Sequence, residues 1–115
     1  MSIELKIAEI VGSELCLSSE DGHKVYELLY AALNNGEYVS LSFLGVKRTT
    51  TAFLNVAIGQ IYGERDESFI REHLKVTNAE RAHLQQLKRV VDGAKLFFRN
   101  QKAHADIGQK IHDGE

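Results

Sequence analysis

Between Val39 and Gly63 the chain reads VSLSFLGVKRTTTAFLNVAIGQIYG. Its first third, Tyr38 to Leu44, sets Val39, Leu41 and Phe43 on one side of an extended chain and only the small Ser40 and Ser42 on the other. That pattern predicts a central strand covered on both faces. Gly45-Val46-Lys47-Arg48 supplies a turn, Thr49, Thr50 and Thr51 supply hydroxyls at a helix start, and Phe53 to Tyr62 is apolar on nearly every side. A helix of that kind is a buried one, with Leu54, Ala57, Ile58 and Ile61 filling the core and Gly63 ending it. A strand that leads through a short turn into a buried helix is the unit of an α/β domain.

On the N-terminal side, Ile3, Leu5 and Ile7 alternate with Glu4, Lys6 and Ala8, the period of a strand with one face buried. Glu14 to Leu17 is a second short apolar stretch after Gly12-Ser13, and the two are expected to pair as a hairpin at a sheet edge. Ser18, Ser19, Glu20 and Asp21 are capping and first-turn residues, and Val25, Leu28, Leu29, Ala32 and Leu33 recur at helical spacing. This amphipathic helix should stop at Asn34-Asn35-Gly36. On the C-terminal side, Asp66 to His73 reads as a short helix and Leu74 to Val76 as a short strand. Asn78 reads as the N-cap of a long helix bearing Leu84, Leu87, Val91, Ala94 and Phe98, which Gly93 weakens slightly. The order predicts a mixed sheet of about four strands with helices packed on it and a long C-terminal helix. Residues 1–100 are expected to form the domain; residues 101–115, where apolar residues thin out, are expected to be a tail that frays or orders only on a partner.

With 115 residues, no proline and no Gly/Ser linker, one domain is expected. Hydrophobic residues make up 43% and charged residues 26%, enough apolar material for a real core. Fourteen basic against sixteen acidic residues, net charge -2, lack the basic excess that holds a phosphate backbone, so nucleic acid is not the expected partner. The longest apolar runs fall far short of the roughly 20 residues of a membrane span, and Glu4, Lys6 and Glu9 break any secretory apolar region. A cytoplasmic location is expected. Cys16, the one cysteine, lies in Leu15-Cys16-Leu17 and reads as a packed thiol.

The apolar strand, Gly-Val turn, hydroxyl cluster and glycine-containing apolar helix resemble the STAS domain of anti-sigma-factor antagonists. They are more similar to the bacterial STAS-like family of unknown function. The residues that carry the likeness are Gly45, Val46, Thr49, Thr50, Thr51, Ala52, Phe53, Leu54 and Asn55, then Gly59 and Gly63, together with Glu20, Asp21 and Gly22 at the start of the first helix. It covers about residues 3 to 100. In the antagonists a serine at the start of the buried helix is phosphorylated by a histidine-kinase-like ATPase, and the phosphate disrupts docking. Their Asp-Ser-Ser falls here on Thr50, Thr51 and Ala52, so the aspartate is missing and the acceptor serine is an alanine. What the resemblance leaves is a hydroxyl at Thr51, one place earlier. It implies a non-catalytic regulatory module that docks on a partner protein, a histidine-kinase-like ATPase or a transcription regulator, with a homo-oligomer also compatible.

The residues themselves single out an edge of Lys47, Arg48, Thr49, Thr50, Thr51 and Asn55. A hydroxyl at a helix start accepts bonds from first-turn amides; a phosphate there would meet the same amides and the neighbouring cations. The edge is therefore either a phosphoacceptor or docking surface, or N-capping beside a solvated basic turn. Asn55 either contacts a ligand or partner, or simply bonds backbone or faces the one wet edge of the helix. The five histidines show no i, i+4 pair within one helix. His104, Asp106, His112 and Asp113 could gather on a metal but read better as a polar tail, so neither metal nor cofactor is expected. No nucleophile elbow, phosphate loop or dinucleotide fingerprint is present, and catalysis is not expected. Two other readings use the same features: a nucleotide- or phosphate-binding protein or small enzyme working at this edge, and a phage- or defence-associated inhibitor or scaffold.

Overall fold

The computed structural model describes the backbone of residues 2–113 and the side chains of residues 2–101. Strand β1 (Ser2–Lys6) runs into a short helix α1 (Ile7–Val11), followed by β2 (Leu15–Cys16), α2 (Ser19–Asn34), β3 (Tyr38–Ser42) and β4 (Arg48–Thr49). Then come α3 (Thr51–Ala57), a 3-10 turn over Gly59–Gly63, α4 (Glu67–His73), β5 (Leu74–Thr77) and α5 (Arg81–Asp113). The sheet is parallel throughout, in the order β1-β3-β5, and β2 pairs with β4 as a separate two-stranded parallel ladder. The architecture is thus α/β with a long C-terminal helix. The expected four-stranded mixed sheet is instead three parallel strands plus a satellite pair.

The hairpin expected from the first two apolar stretches does not form. After Lys6 the chain coils into α1, which buries Ile7, and Gly12 at φ 78 turns it away. Leu15 and Cys16 then find partners in Arg48 and Thr49. Parallel strands need such crossovers, which is why β1 meets β3 only after α2 has intervened.

Register explains what each strand residue does. Ile3, Val39 and Leu74 lie in one row and Leu5, Leu41 and Val76 in the next, all on one face. This face packs against Leu29, Leu33 and Val25 of α2, Leu54 and Ala57 of α3, Ile58 between α3 and the 3-10 turn, and Leu87 and Val90 of α5. The opposite rows are Glu4, Ser40, Lys75 and Lys6, Ser42, Thr77. Glu4, Lys6 and Lys75 are exposed; only Ser42 is fully buried, its Oγ accepting from Leu44 N and Asn78 Nδ2. The expectation that β3 would be covered on both sides therefore fails at its outer face. A serine fits a wet face as well as a tightly packed one, so Ser40 could not distinguish them.

Ser18 caps α2 by accepting from Asp21 N, as the sequence predicts, and Gly36 at φ 75 follows its end. The buried stripe of α2 is Gly22, Val25, Leu29, Ala32 and Leu33; Leu28, expected among them, is 47% exposed. Gly22 takes its place in the stripe because α3 crosses there: an added Cβ would stand 2.6 Å from the Phe53 carbonyl oxygen.

The expected single helix from Phe53 to Tyr62 is broken after Ala57, Ile58 having φ -125, and continues as the 3-10 turn. Both parts are core: Phe53, Leu54, Ala57, Ile58 and Ile61 are all buried. Gly59 and Gly63 seat α5 on this turn. A Cβ on Gly59 would just touch Ala94 and Val90, and one on Gly63 would run into the Phe98 ring at 2.5 Å. Lys95 adds an ion pair to Glu67 at 2.9 Å, which Arg71 shares at 3.0 Å. The hydrogen bond from Lys95 holds the Glu67 carboxyl below its usual range.

Asn78 does not cap α5, which begins three residues later. It sits at φ 57 and spends its side chain on Ser42. Leu84 is exposed, while Leu87 and Val90 carry the contact with the core. No helix among the described residues is long and apolar enough to cross a membrane. The side chains of His104, Asp106, His112 and Asp113, like most of the expected 101–115 tail, lie outside the described residues.

A candidate docking edge between α3 and α5

The six residues singled out in the sequence separate by role. Lys47 is exposed and paired with Glu14 at 3.0 Å, across the turn that also joins Lys47 N to Glu14 O. Arg48, in β4, is exposed and has no carboxylate partner among the described residues. Thr49 is only 7% exposed, and its hydroxyl donates to Gln86 Oε1 of α5 at 2.6 Å. It ties the satellite ladder to the long helix.

Thr50 is the N-cap of α3. Its Oγ1 accepts from Phe53 N at 3.1 Å and donates to Leu17 O at 2.5 Å, so the hydroxyl is engaged both as acceptor and as donor, its one proton spent inside the molecule. Capping therefore falls on Thr50, one place before Thr51. Thr51 is the first residue of α3, exposed and without a side-chain hydrogen bond among the described residues. Asn55 stands one turn later on the same side, also exposed and equally unbonded. The structure brings Thr51 and Asn55 together and sends Thr49 and Thr50 inward.

What Thr51 and Asn55 face is α5. A hollow of about 620 Å³ is bounded by these two residues and by Gln85, Gln86, Arg89, Val90 and Gly93. A second, of about 340 Å³, begins at the same Asn55 and Gly93 and runs past Gly59, Gln60 and Ala94 to Phe97 and Phe98. Together they make one groove along α5. Arg89, Gly93 and Phe97 belong to this edge, and sequence reading did not place them there. The phase of α5 about its axis is set by Leu87 and Val90, and an apolar spacing that wrongly includes Leu84 points the helix elsewhere. Gly93, a costly residue inside a helix, is the one visible signal.

Another hollow, of about 540 Å³, lies where the parallel strands end, among Ala8, Glu9, Glu14, Phe43, Gly45, Lys47, Asn78 and Glu80. Carboxyl ends of parallel strands are the usual place for ligands in such sheets. Its charged lining is three carboxylates and one lysine already paired with Glu14, a poor setting for a phosphate.

Two potential nucleophiles elsewhere are buried. Cys16 is completely buried, and desolvation, with a smaller push from the Asp21 carboxylate, raises its thiol from 9.0 to about 11. His83 is buried and tilted against the Phe43 ring at 5.5 Å, with Nδ1 unpartnered among the described residues.

A family model described as a STAS-like domain of unknown function (DUF4325) matches residues 21–83, from the first turn of α2 to the start of α5. No curated protein matches the chain, and no solved structure does.

Proposed function

The chain belongs to this family of STAS-like domains of unknown function, and from that premise we propose that it is a non-catalytic regulatory module that docks on a partner protein through the edge between α3 and α5. The observation that carries the reading is the pair Thr51 and Asn55: exposed, unbonded among the described residues, one turn apart, and opening on a groove. Polar side chains that support nothing inside the molecule are available to something outside it. The partner is a histidine-kinase-like ATPase or a transcription regulator in the cytoplasm, by analogy with the antagonists that the sequence around the start of α3 resembles. Thr51 is the hydroxyl a kinase would reach, since those of Thr49 and Thr50 are committed to Gln86, Phe53 and Leu17.

Absence of turnover is part of the proposal. It is supported by a thiol that stays protonated across physiological pH and by threonines whose hydrogen bonds are structural. The alternative of phosphate binding at this same edge loses ground because Lys47 is already paired with Glu14 and the hydroxyls of Thr49 and Thr50 are committed to internal bonds.

A photo-crosslinking residue placed at Thr51 or Asn55 in the native cell tests the reading. One partner joined stoichiometrically from these positions, and not from Lys75 on the open sheet face, is expected. Equal labelling from Lys75, or no adduct from Thr51 and Asn55, refutes it.

A further inference from the structure

Three glycines lie along the contact between α5 and the rest of the domain, and two have an internal reason to be small: Gly63 faces the Phe98 ring and Gly59 meets Ala94 and Val90. Gly93 has none. A Cβ built there meets nothing within 4 Å, yet the residue sits inside α5, where glycine is the least favourable residue after proline. The missing side chain leaves a notch at the point where the two hollows of the groove join.

The surroundings of the notch indicate what fills it. Arg89 and Phe97 are one helical turn to either side on the same face of α5. Phe97 is 59% exposed and stands edge-on to Phe98 at 5.1 Å, an aromatic wall left in water. Among the described residues, Arg89 is the only charged one lining either hollow; the other polar groups there are the amides of Asn55, Gln60, Gln85 and Gln86 and the hydroxyl of Thr51. No carboxylate among the described residues pairs with Arg89. The groove is thus cationic at one end, apolar at the other, and rich in uncharged donors between.

We propose that the notch over Gly93 receives an apolar side chain of a partner helix, which carries an Asp or Glu about one turn away to meet Arg89. Close backbone approach at glycine, an aromatic beside it and a fork-shaped cation one turn off are what an acidic amphipathic helix lying along α5 requires. The inference rests on the docking reading above and adds the chemistry of the partner.

The test uses the full chain and a displayed library of 16-residue helical peptides, with Gly93→Ala, Gly93→Leu, Arg89→Glu and Thr51→Arg as counter-screens. Gly93→Ala is expected to raise Tm by about 4 °C, since it removes only a helix-propensity cost. Peptides selected on the native chain should carry a carboxylate three or four residues from Leu, Ile or Phe. They should bind Gly93→Leu and Arg89→Glu at least about tenfold more weakly while both variants stay folded, a combination that lost stability cannot produce. Selected peptides that need Thr51 but bind Gly93→Leu unchanged overturn this inference and leave the docking edge standing. Binders indifferent to all the variants, or no binder, overturn both.

Discussion

At the scale of single residues, the threonine cluster shows how neighbours of one type divide the work. Thr50 engages its hydroxyl between Phe53 N and Leu17 O, while the side chain of Thr51 makes no bond among the described residues. Thr50→Ala should therefore cost about 1–2 kcal/mol of stability, a lost cap plus an orphaned amide, and Thr51→Ala should stay within about 0.5 kcal/mol. Urea melts of the two variants check this, and equal losses would contradict the assignment. Cys16 gives a pH-dependent counterpart. Its folded thiol titrates near 11 and its unfolded thiol near 9, so both states are protonated below pH 9 and the group is then neutral to stability. Above pH 9 the unfolded chain alone releases the proton, and stability should fall between pH 9 and 11 by about 2–3 kcal/mol. Cys16→Ala should flatten that slope. At pH 8 the native thiol should resist iodoacetamide unless denaturant is present.

At the scale of elements, the glycines give a graded series because each would collide with a different object. At Gly22 an added Cβ meets the backbone oxygen of Phe53 at 2.6 Å, and neither α2 nor α3 can shift alone. Gly22→Ala should lose about 1–3 kcal/mol despite its better helix propensity. At Gly63 the obstacle is the end of the Phe98 ring, which can swing toward solvent, so the loss should be smaller. Gly59→Ala meets only ordinary contacts near 3.6 Å and should be nearly neutral. Differential scanning calorimetry of the three variants should return that order; a Gly22→Ala protein as stable as the native would mean the helices are not in register as described. The same elements mark where sequence reading holds and where it stops. The extent of α2, the strand character of Val39 to Ser42 and the burial of Leu54, Ala57, Ile58 and Ile61 follow from period and capping, which are local. The pairing of Cys16 with Thr49 does not, because it joins residues more than thirty positions apart, and no local spacing marks the break at Ile58. At the candidate edge, the residue types were legible but their directions were not: Thr49, Thr50 and Thr51 differ only in what α5 and Leu17 present to them.

At the scale of the whole molecule, the folding unit is larger than the family match. The matched span, residues 21–83, leaves out β1 and nearly all of α5. Yet β1 is one of only three strands in the main sheet, and α5 delivers Leu87 and Val90 to the core and Gln86 to Thr49. Burying those two side chains is worth about 3–6 kcal/mol, and the Gln86 bond adds about 1 kcal/mol. That is comparable with the whole stability of an ordinary domain, about 5–15 kcal/mol, so a chain without them should not hold its fold. A chain ending at residue 83 is accordingly expected to lose its cooperative thermal transition and to bind a hydrophobic dye. One ending at residue 101 keeps Leu87, Val90, Lys95 and Phe98, and should melt as a single transition within about 4 °C of the full chain. Far-ultraviolet circular dichroism with dye titration on both truncations decides it. A cooperative, dye-free chain of residues 1–83 would show that α5 is an appendage, and the groove between α3 and α5 would then lose the rigid wall that docking along it needs.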